Sequence, residues 1–289
     1  LANLKKEVKD PNSNEIQALE KLLISKEGQI LKKEQRQAEE FFDLSIENKS
    51  ASGQQMYLDV EKLAVLDSKG TVYLLSLSKK SLDKINSAEA KGASIVITSN
   101  DRTYVLRKGA GIFEIPLEGK SKKVIDNDSE WKDVVDIVSY NGNLYLLDKG
   151  ASIVYKYMVA ESGFSDKSSY FQAGQQKPNL QNATSLAIDA SVYIGLPQGA
   201  LKYVSGLQDS YVTSFPEEDY SLTKIFTSKD VEKVYGWDKN KGALYIIDKS
   251  GTYERQINSS VLSKATDFVV FEKNAYILVG SKIYRVNTD

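Results

Sequence analysis

At residues 143–157 the chain reads NLYLLDKGASIVYKY. The apolar residues Leu144, Tyr145, Leu146 and Leu147 lead into a polar turn at Asp148, Lys149 and Gly150. Ile153, Val154, Tyr155 and Tyr157 follow. Aromatic and β-branched runs on both sides of a short Gly-bearing turn specify a β-hairpin. The formula returns as LAVLDSKGTVYLL (63–75), TYVLRKGAGIFEI (103–115), VYIGLPQGALKYV (192–204), VYGWDKNKGALYII (234–247) and AYILVGSKIYRV (275–286). Six versions of one hairpin define a repeat architecture.

Each hairpin is preceded by an apolar lead strand, at 55–60, 93–99, 134–140, 184–189, 222–227 and 266–271. Five are followed by a more polar fourth strand, at 81–85, 122–125, 169–172, 211–215 and 252–257. Four strands at a period of about 40 residues form the blade of a β-propeller. The fold class expected is therefore all-β: a six-bladed β-propeller over residues 42–289. Its blades lie at about 55–85, 93–125, 134–172, 184–215, 222–257 and 266–286. A β-sandwich would not repeat one hairpin six times, and a solenoid would need a capping unit at each end.

The sixth unit stops after its third strand. An open ring would leave strand edges unpaired, which invites aggregation. The segment 42–46 switches to period two, with Phe42, Leu44 and Ile46 on one side and Asp43 and Ser45 on the other. It is expected to supply the missing strand of the last blade and so close the ring.

Residues 1–41 differ: rich in Lys, Glu, Gln and Leu, they carry eight acidic and eight basic side chains. They read as a short N-terminal helical segment. Ser13 or Asn14 caps a helix whose apolar stripe is Ile16, Leu19, Leu23 and Ile30, with Gly28 as a point of kinking or breakage.

Composition removes whole classes of chemistry. The 289 residues include no cysteine and no histidine. Disulfides, Cys/His zinc sites, thiolate nucleophiles and histidine-based triads are all excluded. With 38 basic against 39 acidic side chains the net charge is −1, so bulk electrostatics favours neither nucleic acid nor an anionic membrane. No apolar run has the ~20 residues of a spanning helix. The chain opens at Leu1, which reads as a processed or partial chain.

The repeats, with an aliphatic-Tyr-aliphatic strand, a small polar turn and Gly before Ile/Leu-Tyr, resemble the six-bladed group that includes NHL-type and YVTN-type propellers. The stretches EEFFDLSI (39–46), DIVSYNGNLYLLDK (136–149) and TKIFTSKD (223–230) resemble the C-terminal propeller halves of uncharacterised bacterial proteins. In those, a phosphatase-like domain and a membrane helix lie upstream. The resemblance implies an anchor outside this chain and an extracytoplasmic place for the propeller, and it brings no catalytic motif.

Four aspartates, Asp67, Asp148, Asp238 and Asp248, recur at hairpin turns and read as caps of local amides. Asp126, Asp128 and Glu130 give an acidic run, but an EF-hand loop needs Gly at its sixth position and Glu at its twelfth. Trp131 and Ile137 stand there instead. No metal, cofactor or catalytic residue is therefore expected, and the lead strands are read as presenting mainly apolar or hydroxyl side chains inward.

The expectation is a non-catalytic interaction or ligand-sensing module, not an enzyme. Its partner-binding residues would sit on the connectors into blades three and five: Trp131, Tyr220, Asp126, Asp128, Glu130, Glu217 and Glu218. The competing reading is a metal-dependent hydrolase or lyase using carboxylates in the central channel.

Overall fold

In the computed structural model, residue 6, residues 10–217 and residues 219–289 are described. Six blade sheets follow one another around a central channel, and a two-stranded sheet, Val159–Ala160 with Gly163–Phe164, lies between the third and fourth strands of blade 3. Blade 1 is Gly53–Asp59, Lys62–Asp67, Thr71–Ser76 and Leu82–Asn86; blade 2 is Ile95–Ser99, Arg102–Arg107, Gly111–Glu114 and Lys122–Asp126. Blade 3 is Val134–Tyr140, Asn143–Asp148, Ile153–Tyr157 and Ser168–Ser169; blade 4 is Ser185–Ile188, Val192–Leu196, Gly199–Val204 and Leu207–Gln208. Blade 5 contains Lys224–Phe226, Lys233–Asp238, Ala243–Asp248 and Tyr253–Asn258, and blade 6 contains Asp267–Phe271, Asn274–Val279 and Lys282–Asn287. In blades 1, 3 and 5 the second and third strands are the most buried, because both their faces pack against neighbouring blades. Trp237 is an example: it is 2% exposed and donates its indole N–H to the Leu262 carbonyl at 3.1 Å.

The ring closes as the incomplete sixth repeat requires, but in a different register. The closing strand is Glu39–Asp43, antiparallel to Lys282–Asn287, and Leu44–Ile46 turns into a 3₁₀ helix. A bulge between Glu40 and Phe42 breaks the expected alternation. Phe41 and Leu44 are therefore the buried pair, Phe41 meets Tyr276 edge-on at 4.9 Å, and Ile46 is 77% exposed.

Three further expectations are corrected. Blade 4 ends on Leu207–Gln208, and residues 211–215 form no strand beyond one isolated bridge from Ser214 to Thr252. The tyrosine at 211 is instead buried edge-on against Tyr193 at 5.6 Å. In blade 3 the outer strand shrinks to Ser168–Ser169. Blade 5 gains a fifth strand, since Lys33–Gln35 pairs in parallel with residues 256–258. The N-terminal segment is thus helical only in part. Its helix Asn14–Ile30 is capped by Ser13, whose hydroxyl accepts the Ile16 N–H at 3.4 Å, and it runs through Gly28 without a break. Ile16 is buried, whereas Leu23 and Ile30 stay exposed.

The recurring turn aspartates cap backbone, as their repeat position implied. Asp148 accepts the N–H groups of Lys132 at 2.8 Å, Asp133 at 2.9 Å and Ala151 at 3.0 Å. Asp67 and Asp238 bridge the connector into their blade and their own turn in the same way. Asp248, one strand later, caps Ser250 and Thr252.

Candidate active site

The first strand of every blade leaves one edge unpaired toward the channel axis. Such an edge presents amides that need acceptors. In repeat register the strand-entry residues are Gln55, Ile95, Asp136, Ser185, Lys224 and Asp267, and they meet that need around the ring. Gln55 accepts the Val96 N–H at 2.7 Å, Asp136 that of Leu186 at 2.8 Å, Ser185 that of Ile225 at 2.9 Å and Asp267 that of Met56 at 2.7 Å. Ile95 and Lys224 have no oxygen to offer. The blade after each of them carries an aspartate, which uses its other oxygen on its own next amide: Asp136 on Ile137 at 2.9 Å, Asp267 on Phe268 at 2.8 Å. All six amides are thereby satisfied.

Lys224, unable to cap, places its ammonium 2.6 Å from Asp267. Asp136, Lys224 and Tyr57 line a cavity of about 300 Å³ in the channel, together with apolar residues such as Val138, Ile188, Phe226 and Val269. Burial pushes the Asp136 carboxyl up to about 6. The Lys224 charge and the Leu186 and Ile137 amides pull it down, and Asp267 adds to the rise. Burial, then the nearby Asp59 and Asp136 carboxylates, also push the Tyr57 phenol up, so it keeps its proton. The lining also includes Asp59, whose carboxyl burial raises, and the ion pair Lys229–Asp230 at 2.9 Å.

This arrangement can exchange a proton near neutral pH at Asp136. It can also hold negative charge beside Lys224, between largely apolar walls. Each Asp136 oxygen accepts one amide and so keeps a second lone pair. A divalent metal fits poorly. Both Asp267 oxygens already take amides, one also takes the Lys224 ammonium, and that cation would have to leave before an ion could bind. Among the described residues no group of three or more acids stands ready to ligate one.

The residues expected to meet a partner lie elsewhere, on two separate connectors. Asp128 and Glu130 share the Lys167 ammonium at 2.5 and 2.7 Å, and Asp126 pairs with Lys123 at 3.2 Å. Trp131 is half-buried and donates its indole N–H to the Tyr157 hydroxyl at 3.1 Å. Tyr220 packs tilted against Phe215, ring centroids 4.2 Å apart, and donates to the Gln198 carbonyl at 2.9 Å. Glu217 binds Lys241 at 2.9 Å, the Tyr245 hydroxyl at 3.0 Å and Lys33. Glu218 lies outside the described residues.

The channel residues Asp136, Lys224, Asp267 and Tyr57 escaped the sequence reading. Their signal was present: aligning the six lead strands puts two aspartates and a lysine at one register position, where hydroxyls and apolar side chains were expected.

No protein-family model and no curated protein matches the sequence. Solved structures do share the shape. Virginiamycin B lyase from Staphylococcus aureus is 10% identical, with a TM-score of 0.56 over 83% of this chain and 81% of that one. A gluconolactonase from Xanthomonas campestris is 11% identical, with a TM-score of 0.57 over 86% and 88%. Regucalcin, a calcium-binding protein from Agrobacterium tumefaciens, is 10% identical, with a TM-score of 0.59 over 87% and 94%. At these identities the likeness shows the six-bladed fold. It also corrects the expectation of a non-catalytic module that is not an enzyme, because propellers of this shape include a lyase and a gluconolactonase.

Proposed function

We propose that the chain is a hydrolase or lyase that cleaves a small, largely uncharged organic substrate in the central channel. The observation that supports this most is Asp136, a carboxyl with its pKa near 6 that lines an apolar-walled cavity beside Lys224. A base works best when its pKa lies near the working pH. In a hydrolysis, the Asp136 carboxylate takes a proton from water as the water oxygen bonds to the substrate carbonyl carbon. Negative charge gathers on the carbonyl oxygen, where the Lys224 ammonium stabilises it. Collapse expels the alcohol oxygen, which takes the proton back from Asp136. In an elimination the same carboxylate takes a carbon-bound proton while the carbon–oxygen bond breaks. The name of the neighbouring gluconolactonase favours cyclic esters as first substrates to try.

The stretches at 39–46, 136–149 and 223–230 support a kinship with NHL-type and phosphatase-linked bacterial propellers, on which the channel reading does not depend. The test is a panel of lactones and aryl esters assayed from pH 5 to 8 with the parent and Asp136→Asn. Turnover should rise through pH 6 and fall on the order of 100-fold or more in Asp136→Asn. A panel without turnover, or an Asp136→Asn protein as active as its parent, would overturn the proposal.

A further inference from the structure

Five of the six blades line the cavity; no residue of the blade 2 lead strand, Ile95–Ser99, does. The cause is Tyr57. Its phenol leaves blade 1, passes over blade 2 and reaches blade 3, where the Ser139 N–H donates to its oxygen at 2.8 Å and the Ser139 carbonyl lies at 3.3 Å. On the way the ring packs against the apolar clusters on both sides of blade 2, one containing Val96 and the other Ile97. At the same register position the other lead strands carry Ile97, Val138, Ala187, Phe226 and Val269, none of which has a polar tip to anchor it across the lumen. Behind the ring, Ser139 donates its hydroxyl to Ser99 at 2.7 Å.

We infer that Tyr57 sets the specificity of the channel by size: tethered at both ends, it seals the blade 2 wall and withholds a ring-sized space from the ligand. This rests on the channel being the binding site proposed above. Unlike a surface aromatic, Tyr57 cannot swing aside cheaply, because doing so strands the Ser139 amide. The channel therefore favours slender ligands, and broader ones wait on a smaller residue at position 57.

The test uses prodan, a neutral naphthalene dye whose emission moves to the blue in apolar surroundings, titrated into the full chain. Tyr57→Ala should bind it at least tenfold more tightly than the parent, with a blue shift. Tyr57→Phe, which keeps the ring but loses the tether to Ser139, should bind it more tightly than the parent and less tightly than Tyr57→Ala. Adding Ile97→Trp to Tyr57→Ala refills the space and should return affinity to the parent value. If Tyr57→Ala does not fold, Tyr57→Leu serves in its place. A cooperatively melting Tyr57→Ala or Tyr57→Leu protein that binds prodan no better than the parent overturns the inference. So does tight binding that survives Ile97→Trp. Neither readout needs turnover, so failure of the esterase panel and failure of this experiment are separate outcomes.

Discussion

The Asp267 carboxylate in the last blade accepts the Met56 amide of the first at 2.7 Å. One side chain thus joins the two ends of the repeat array at the channel, while Glu39–Asp43 joins them at the rim. The same carboxylate holds Lys224. Removing it alone leaves a deep ammonium and two amides without an acceptor. Asp267→Ala should therefore cost about 3–5 kcal/mol in urea unfolding. The double change Lys224→Met with Asp267→Leu should cost less than Asp267→Ala, because no unpaired charge remains. A double variant less stable than the single one would show that the pair contributes net stability beyond its geometry.

Truncation separates the two N-terminal segments. Deleting residues 1–30 removes the helix, of which Ile16 is a buried residue, and should leave the cooperative melt almost unmoved. Deleting residues 1–47 also removes Phe41 and Leu44, each worth roughly 1.5–3 kcal/mol of burial. It exposes the edge of Lys282–Asn287 and strips blade 5 of its parallel strand. Thermal melts of the two proteins should differ by roughly 10 °C, at about 2–4 °C per kcal/mol for a large domain. Equal melting temperatures would refute the closure.

The capping aspartates give a local test. Asp148 is fully buried and satisfies three amides. Replacing it by Ala leaves those donors unpaired and should cost about 3 kcal/mol. Asp248 caps amides at an exposed turn, where water can replace it, and Asp248→Ala should cost about 1 kcal/mol or less. Denaturant midpoints of the two variants, read at equal slope, check the order.

How much of this was legible follows from what each feature depends on. The blades were readable because period-two alternation and turn aspartates are local, and because six copies corroborate one another. The closing strand was legible as a need, since the sixth repeat is incomplete, but not in register: a bulge at Phe41 shifts which side chains face inward, and no pattern in EEFFDLSI announces it. The strand Lys33–Gln35 was hidden because its pairing partner lies over 200 residues away in blade 5, and KEQ has no apolar character. The channel charges were read past because a single Asp in an apolar lead strand looks incidental. Only when Ile95 precedes Asp136, and Lys224 precedes Asp267, around the ring does the carboxylate become the answer to a missing acceptor.

Asp136 ties stability to pH in a direction opposite to that of a salt-bridged carboxylate. Its folded pKa of about 6 lies above the ~3.9 of an unfolded Asp. The native state therefore holds the proton more tightly than the unfolded state between those values. In that window stability falls as pH rises, and the deficit is complete above about pH 6. Asp136→Asn cannot ionise, so it escapes the deficit, though it loses one of the two amide caps at every pH. The stability difference between parent and variant should shift in favour of the variant by on the order of 2 kcal/mol from pH 4 to pH 7, allowing for lumen water around the carboxyl. Urea unfolding of both proteins at half-unit steps of pH measures that difference with the other titrating groups cancelled. A difference that stays flat across the window would mean that Asp136 ionises as an ordinary carboxylate, and its part as a base near neutrality would lose its physical ground.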